Sequence, residues 1–408
     1  MKYIINARIH TLDELGTIEK GWVSFEDGII TAVGEMSEYA NPDNPDNPDN
    51  PDNPDNPDNK DIFDAHGANL YPGFIDAHSH LGMFPDGYGD DDANESSDPI
   101  TPHLRAVDGV DIFDRGFAEA RKNGITTVVT GAGSANLFGG QLAALHTARR
   151  TDGKYAKSVD KLVITAPIAF KMALGENPKR VHGENDRTPN TRQGNAALIR
   201  ETLTKAREYA EKLEKYEADT ENNDKPDFDA KLSALLPLIR GEVAAHIHCH
   251  RADDIMTAIR LAEEFGFKYV LIHATDSAKI AAELAEHNAR AIIGPLISER
   301  VKPEMAALSV NTAAALSRNG VPYAVCTDHP VVPAEYLILS AALTIRGGVS
   351  KENALRSITS AAADILGLSD KIGRIKTGLY ADFAVVKGNF TDVTADTLAT
   401  FVLGEKVR

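Results

Sequence analysis

Apolar and polar positions change rhythm twice along this chain. Segments 2–12 (KYIINARIHTL) and 21–36 (GWVSFEDGIITAVGEM) are short apolar–polar runs broken by Gly-containing turns, which predicts strands. From residue 67 the rhythm becomes strand, helix, strand. Apolar runs at 126–131, 161–170, 242–250, 268–275, 290–295 and 322–328 read as strands. Segments 253–266, 276–288 and 310–320 read as amphipathic helices closed by Gly or Asn. Such alternation predicts parallel strands with helices outside them. Eight units of this kind need about 250 residues. Residues 67–365 supply that length, so the expected fold is α/β, a TIM barrel. The tail 373–390 (GRIKTGLYADFAVVKGNF) returns to short-strand character. Segments 1–66 and 366–408 are therefore expected to form one small β domain beside the barrel.

Two stretches break the pattern. Residues 41–58 repeat Asn-Pro-Asp six times. Proline at every third position removes amide donors, and no apolar residue is present to drive burial. An extended, solvated loop is expected. Residues 192–217 carry Leu198, Leu203, Ala206, Ala210, Leu213 and Tyr216 at helical spacing, which predicts one amphipathic helix on the outside of the barrel.

Charge narrows the classes of partner. Lys plus Arg number 43 and Asp plus Glu number 60, a net charge of −17. An excess of acid disfavours nucleic acid and anionic membrane surfaces, whose affinity rests on clustered bases. No apolar run reaches the ~18 residues of a membrane span, and the first residues lack a signal-peptide core. The two cysteines, Cys249 and Cys326, cannot make a disulfide framework. A cytoplasmic location is expected.

The candidate chemistry lies in histidines at strand ends. His78 and His80 are two apart, so in a strand they share a face and can bind one divalent metal. His248, His273 and Asp328 each close a further apolar run. In a parallel barrel those ends form the face where active sites are built. Imidazoles and a carboxylate converging there suit zinc, with manganese or iron as alternatives.

These residues sit in segments that resemble the amidohydrolase superfamily, in its imidazolonepropionase-like and dipeptidase-like branches. PGFIDAHSH is similar to the family's first-strand motif and HIHCHRADDI to its fifth-strand segment. VLIHATD resembles the sixth-strand histidine segment and VCTDHP the eighth-strand aspartate segment. GRIKTGLYADFAVV resembles the return into a terminal β-sandwich. The resemblance implies a distorted (β/α)8 barrel, a β-sandwich from both termini, and hydrolysis by a water that a metal activates. It implies His78, His80, His248 and His273 as ligands. It makes Asp328 the group that takes the water's proton and passes it to the leaving nitrogen. His273 is the adjacent imidazole that supports the oxyanion. His246 and His250 share the strand face of His248; His250 is expected against substrate or behind the ligands, and His246 in a structural role. At the fourth strand, FKMALGENPKR offers Lys171, which a two-metal branch uses in carboxylated form as a bridge. It also offers Glu176, the donor type of a single-metal branch, here in a Gly-Glu-Asn-Pro turn. One metal or two stays open.

The loop 84–106 is long and acidic, and Asp86, Glu95, His103 and Arg105 are candidates for substrate contact. If the acids act, they favour a substrate with a positive group. The glycines of 131–140 lack a complete phosphate-binding fingerprint. The expected activity is cleavage of a carbon–nitrogen amide bond, linear or cyclic and including dipeptides, in a small molecule. The alternatives are deamination of an amino-substituted ring and a silent barrel serving binding or assembly. Deaminases of this superfamily usually carry a glutamate just after the fifth-strand histidine, where this chain reads CHRADD. A homo-oligomer is a family-level expectation only.

Overall fold

The computed structural model describes residues 1–39, 61–84, 91–151 and 153–408. The Asn-Pro-Asp repeat and Asp86 lie outside the described residues.

Eight strands form the central sheet: Phe74–Asp76 (β1), Ile125–Thr130 (β2), Phe138–His146 (β3), Val163–Ala173 (β4), Ala244–Cys249 (β5), Tyr269–His273 (β6), Ala291–Ile293 (β7) and Tyr323–Val325 (β8). They neighbour one another in chain order. All six expected runs are present among them. β3 was not anticipated, and it departs from the all-parallel expectation. It pairs antiparallel with both β2 and β4, whereas the other pairs are parallel. Only seven residues separate Thr130 from Phe138, too few for a crossover helix, so the chain turns back as a hairpin. The glycines at the head of β3 allow a second segment to lie against it. A Cβ on Gly140, at φ +124°, would stand 2.6 Å from the Leu104 carbonyl oxygen.

The ring closes through a seam. Lower down, residues 357–358 insert between β1 and β8: Ile75 N–H donates to the Ile358 carbonyl and Val325 N–H to that of Ser357. Above the strand ends the two edges meet directly. Asp328 N–H donates to the His78 carbonyl at 3.1 Å, and His80 N–H to that of His329 at 2.8 Å.

Side-chain alternation explains the layers. Phe170, Met172, Ala245, Ile247, Cys249 and Leu271 face outward into the helix layer. Ile75, Val129, Ala169, Val270, Ile272, Ile292, Ala324 and Cys326 face inward, joined by Ala362, Ile365 and Leu366 of the helix Ser360–Leu366. That inner cluster fills the ring as a packed core rather than a pore. The helix Arg192–Ala218 forms as expected and buries Ile199, Leu203, Ala206 and Ala210. Its last turns, with Leu213 and Tyr216, are only partly covered.

Strands from both ends of the chain make a second eight-stranded sheet. It runs Glu405–Lys406, Asp396–Val402, Phe383–Lys387, Asn69–Pro72, Lys2–His10, Thr17–Glu26, Ile29–Glu35, with Ile62–Asp64 also on Lys2–His10. The sheet folds over on itself. Phe25 lies 5.6 Å from Phe383 and 6.1 Å from Phe401, ring centre to ring centre, although three and four strand steps separate them along the sheet. A flat sheet would hold them about 14 Å or more apart. No helix among the described residues is long and apolar enough to cross a membrane.

Candidate metal centre

Each candidate ligand is delivered by a strand or by the turn just past it. Beyond β1 come His78 and His80, both buried. Lys171 occupies an inward position of β4, with Phe170 and Met172 pointing outward on either side. Inward positions of β5 carry His246 and His248, and His250 follows. At the end of β6 the backbone turns left-handed at His273 (φ 68°) and Ala274 (φ 43°); Asp328 past β8 does the same (φ 56°). Non-glycine residues held there cost free energy and cluster at functional sites.

The geometry gathers two donor groups. His78, His80 and Asp328 form one; His248, His250 and His273 form the other. Within each group the donor atoms lie within 4.8 Å of one another. Asp328 Oδ1 is 3.5 Å from His78 Nε2 and 3.3 Å from His80 Nε2. The groups adjoin: the His78 and His273 rings are 5.6 Å apart, and His250 stacks on His273 at 4.8 Å. Lys171 Nζ reaches His78 Nε2 at 3.0 Å, and its charge is felt by histidines of both groups.

The donor chemistry fits divalent metal. His80 Nδ1 bonds the Gly131 carbonyl at 2.8 Å and His273 Nδ1 that of Gly294 at 2.7 Å. A carbonyl only accepts, so Nδ1 carries the proton and each Nε2 presents a lone pair. This is the outer support that metal-binding histidines need. His250 Nδ1 is held by Thr275 Oγ1 at 2.7 Å. Both ring nitrogens of buried His248, and Oδ1 of Asp328, have no hydrogen-bond partner among the described residues. Polar atoms buried without partners are expensive, and a bound cation would satisfy them.

Electrostatics keep these groups in ligand form. Burial drives the imidazoles of His78, His248 and His250 well below their ordinary value, and that of His273 to about 4. Burial would raise the Asp328 carboxyl, but the His273, His78 and His80 imidazoles gathered around it hold it well below the usual range. Burial lowers Lys171 to about 8.

The remaining candidates fall elsewhere. His246 pairs in register with Lys171, deeper in the ring, and belongs to neither group. Glu176 does not sit in a turn. It starts the helix Glu176–Gly183, with its carboxylate 3.8 Å from Arg192, and it is in neither donor group. His103 is exposed, and Arg105 is exposed and spends its guanidinium on Asp108. Neither lines the cavity above the donor groups, because the segment 100–105 lies along β3 instead. Glu95 is taken up by Ser97.

Sequence reasoning missed Glu304. It is buried on the turn Pro303–Met305, with Oε1 3.3 Å from Lys302 Nζ and 3.9 Å from His250 Nε2. Its Oε2 accepts from Glu176 N–H at 2.9 Å and lies 3.5 Å from Arg192. Arg192 also pairs with buried Asp254 at 2.9 Å. This network fixes the helix Glu176–Gly183 against the site. No local pattern around Glu304 marks it, because its partners other than Lys302 come from three distant segments. Above the donor groups opens a cavity of about 530 Å³, lined by His80, His248, His250, His273 and Asp328 at one end.

Known proteins resemble this chain over most of its length. The amidohydrolase family profile matches residues 69–407. The chain is 30% identical over 343 residues to amidohydrolase tasK of Hapsidospora irregularis; the match covers 79% of this chain and spans 35% of that longer protein. A solved amidohydrolase from Thermotoga maritima MSB8 superposes with a TM-score of 0.89 at 37% identity, over 100% of both chains. A 5-methylcytosine deaminase from Klebsiella pneumoniae has the same fold, with a TM-score of 0.55 at 13% identity over 100% of this chain and 98% of that one. Metal dependence is general in such enzymes, and the two donor groups are where it would reside here. The chain belongs to the amidohydrolase family.

Proposed function

We propose that this enzyme cleaves a carbon–nitrogen amide bond, linear or cyclic, in a small molecule, with two zinc ions as the first choice and manganese or iron as alternatives. The carrying observation is the pair of adjoining donor groups, with Lys171 against one of them and His80, His248, His250, His273 and Asp328 lining one cavity. His78, His80 and Asp328 would hold one ion, and His248, His250 and His273 the other. Lys171, its amine lowered by burial to about 8, is suited to bridge them once carboxylated. When bound, the metal acidifies water and polarises a carbonyl.

The protein's own part is positioning and proton transfer. Asp328 stays ionised because its surroundings depress its pKa, so it is ready to accept a proton from water and return it to the leaving nitrogen. His273, its Nδ1 held by the Gly294 carbonyl, presents a fixed Nε2 to the ion it would share with His248 and His250. The cavity of about 530 Å³ has the size of a small-molecule site.

The test is elemental mass spectrometry of the purified protein and of His78→Ala, with hydrolysis assays on dipeptides, N-acyl amino acids and cyclic amides. About two zinc ions per chain, loss in the variant, and amide cleavage that follows metal content are expected. Ammonia release from an amino-substituted ring, with no amide cleavage by the fully loaded enzyme, would replace this reading with deamination.

A further inference from the structure

One wall of the cavity carries a solvent-exposed charge that no group among the described residues pairs with. The eight-residue helix Glu176–Gly183 places Asn177, Arg180 and Val181 on that wall. Three and four residues apart, these side chains share one helix face. Lys302 also lines the cavity, but its Nζ is spent on Asn177 Oδ1 at 2.9 Å and on Glu304 at 3.3 Å. Asp91 accepts within its own turn, from Ala93 N–H and Asn94 Nδ2. Arg180 has no ion pair or side-chain hydrogen bond among the described residues. It is the one cation on the cavity wall left without a partner.

The wall around it is built, not incidental. Glu304 anchors the helix start through Glu176 N–H, while Arg192 and Asp254 hold Glu304 in turn. Gly175 is needed there: at φ +86°, a Cβ would stand 2.6 Å from Glu304 Oε2. A guanidinium presents a planar fork of donors that matches a carboxylate in two-point contact. Beside it, Val301 and Val331 line the same cavity although they are 73% and 53% exposed, and Met305 and Val181 add apolar surface.

We infer that Arg180 binds a carboxylate of the substrate, and that the substrates are amides of apolar amino acids: N-acyl amino acids or dipeptides with a free carboxylate. The choice of bond rests on the amide-hydrolase reading above; the carboxylate contact does not. It also runs against the expectation of a positively charged substrate drawn from the acidic loop, whose Glu95 and Asp98 are taken up by Ser97 and Lys231.

The experiment compares N-acetyl-L-leucine and L-leucyl-L-leucine with their C-terminal primary amides, on the metal-loaded enzyme and on Arg180→Gln and Arg180→Lys. The acids should be preferred. Arg180→Gln should raise KM for the acids about 10- to 100-fold, the scale of a lost charge-assisted contact. It should leave kcat and the neutral amides nearly unchanged, and Arg180→Lys should recover part of the loss. Equal turnover of acids and amides, or a KM change shared by both, would overturn the carboxylate assignment while keeping amide hydrolysis. If no compound is cleaved, calorimetric binding of the same pairs separates the two ideas. Acid-selective binding lost in Arg180→Gln supports the carboxylate site and removes the amide reading; no selective binding removes the carboxylate site.

Discussion

Lys171 Nζ and His78 Nε2 meet at 3.0 Å, an amine against an imidazole, both fully enclosed. Neither is an acid, so the contact is poor for two protonated groups and good for a cation or a carboxylated amine between them. Lys171→Met keeps the length and removes the amine. We expect a folded protein whose metal content falls by at least half and whose amide hydrolysis is lost. Elemental analysis beside a thermal melt checks this; unchanged metal and turnover would make the lysine a bystander.

Asp328 lies within reach of both first-strand histidines and stays a carboxylate. Asp328→Asn keeps the shape and most of the ligand set but cannot accept a proton. Turnover should fall by about 100- to 10,000-fold, the usual worth of general base catalysis, with metal retained. Steady-state kinetics on the loaded variant decide it; activity near wild type would dismiss Asp328 as the base.

Gly175 holds the Arg180 helix against Glu304. Alanine there must adopt a left-handed backbone and push on a buried carboxylate. Gly175→Ala should cost roughly 1–3 kcal/mol of stability and raise KM more than it lowers kcat. Chemical denaturation and kinetics together would show this; an unaltered midpoint would mean the network yields easily.

Far from the metal centre, His146 Nδ1 and Asp382 Oδ2 lie 3.5 Å apart in the interior, joining β3 to the terminal sheet. Burial raises the Asp382 carboxyl from 3.8 to about 7 and lowers the His146 imidazole from 6.5 to about 3. Between about pH 4 and 6.5 the folded pair therefore holds one proton, on Asp382, and the unfolded pair also holds one, on His146. Their contributions to the pH slope of stability cancel. Single variants should expose each half. In Asp382→Asn only His146 remains, its folded pKa depressed, so stability should climb relative to wild type from about pH 3 to 6.5. In His146→Gln only Asp382 remains, its folded pKa raised, so stability should fall from about pH 4 to 7. Denaturation midpoints across that range test the pair. Parallel profiles for both variants would show that it is an ion pair instead.

Five of the six clustered donors were legible because chemistry and position coincided, whereas His250 was expected against substrate or behind the ligands. His78, His80, His248, His273 and Asp328 each stood at the end of an apolar run, and the ring brings those ends together. Where local pattern and tertiary setting diverge, the reading stopped. β3 begins Phe-Gly-Gly, which looks like a loop until Leu104 packs against Gly140. Glu176 looked like a turn residue because a helix started by a left-handed glycine leaves no ordinary capping signal. Glu304 and Arg180 could not be found at all: one matters through partners from distant segments, the other through having none.

The seam carries a last consequence. The hydrogen bonds that join β1 to β8 above the strand ends are made by the backbones of His78, His80, Asp328 and His329 themselves. Three of these four residues also form one donor group. A cation held there would act as a rivet across the joint at which the first and last strands of the ring meet. Departure of the ion and parting of the joint become one event, so the rate of metal escape should be capped by how often the ring springs open. Catalytic life and mechanical integrity would then age on a single clock.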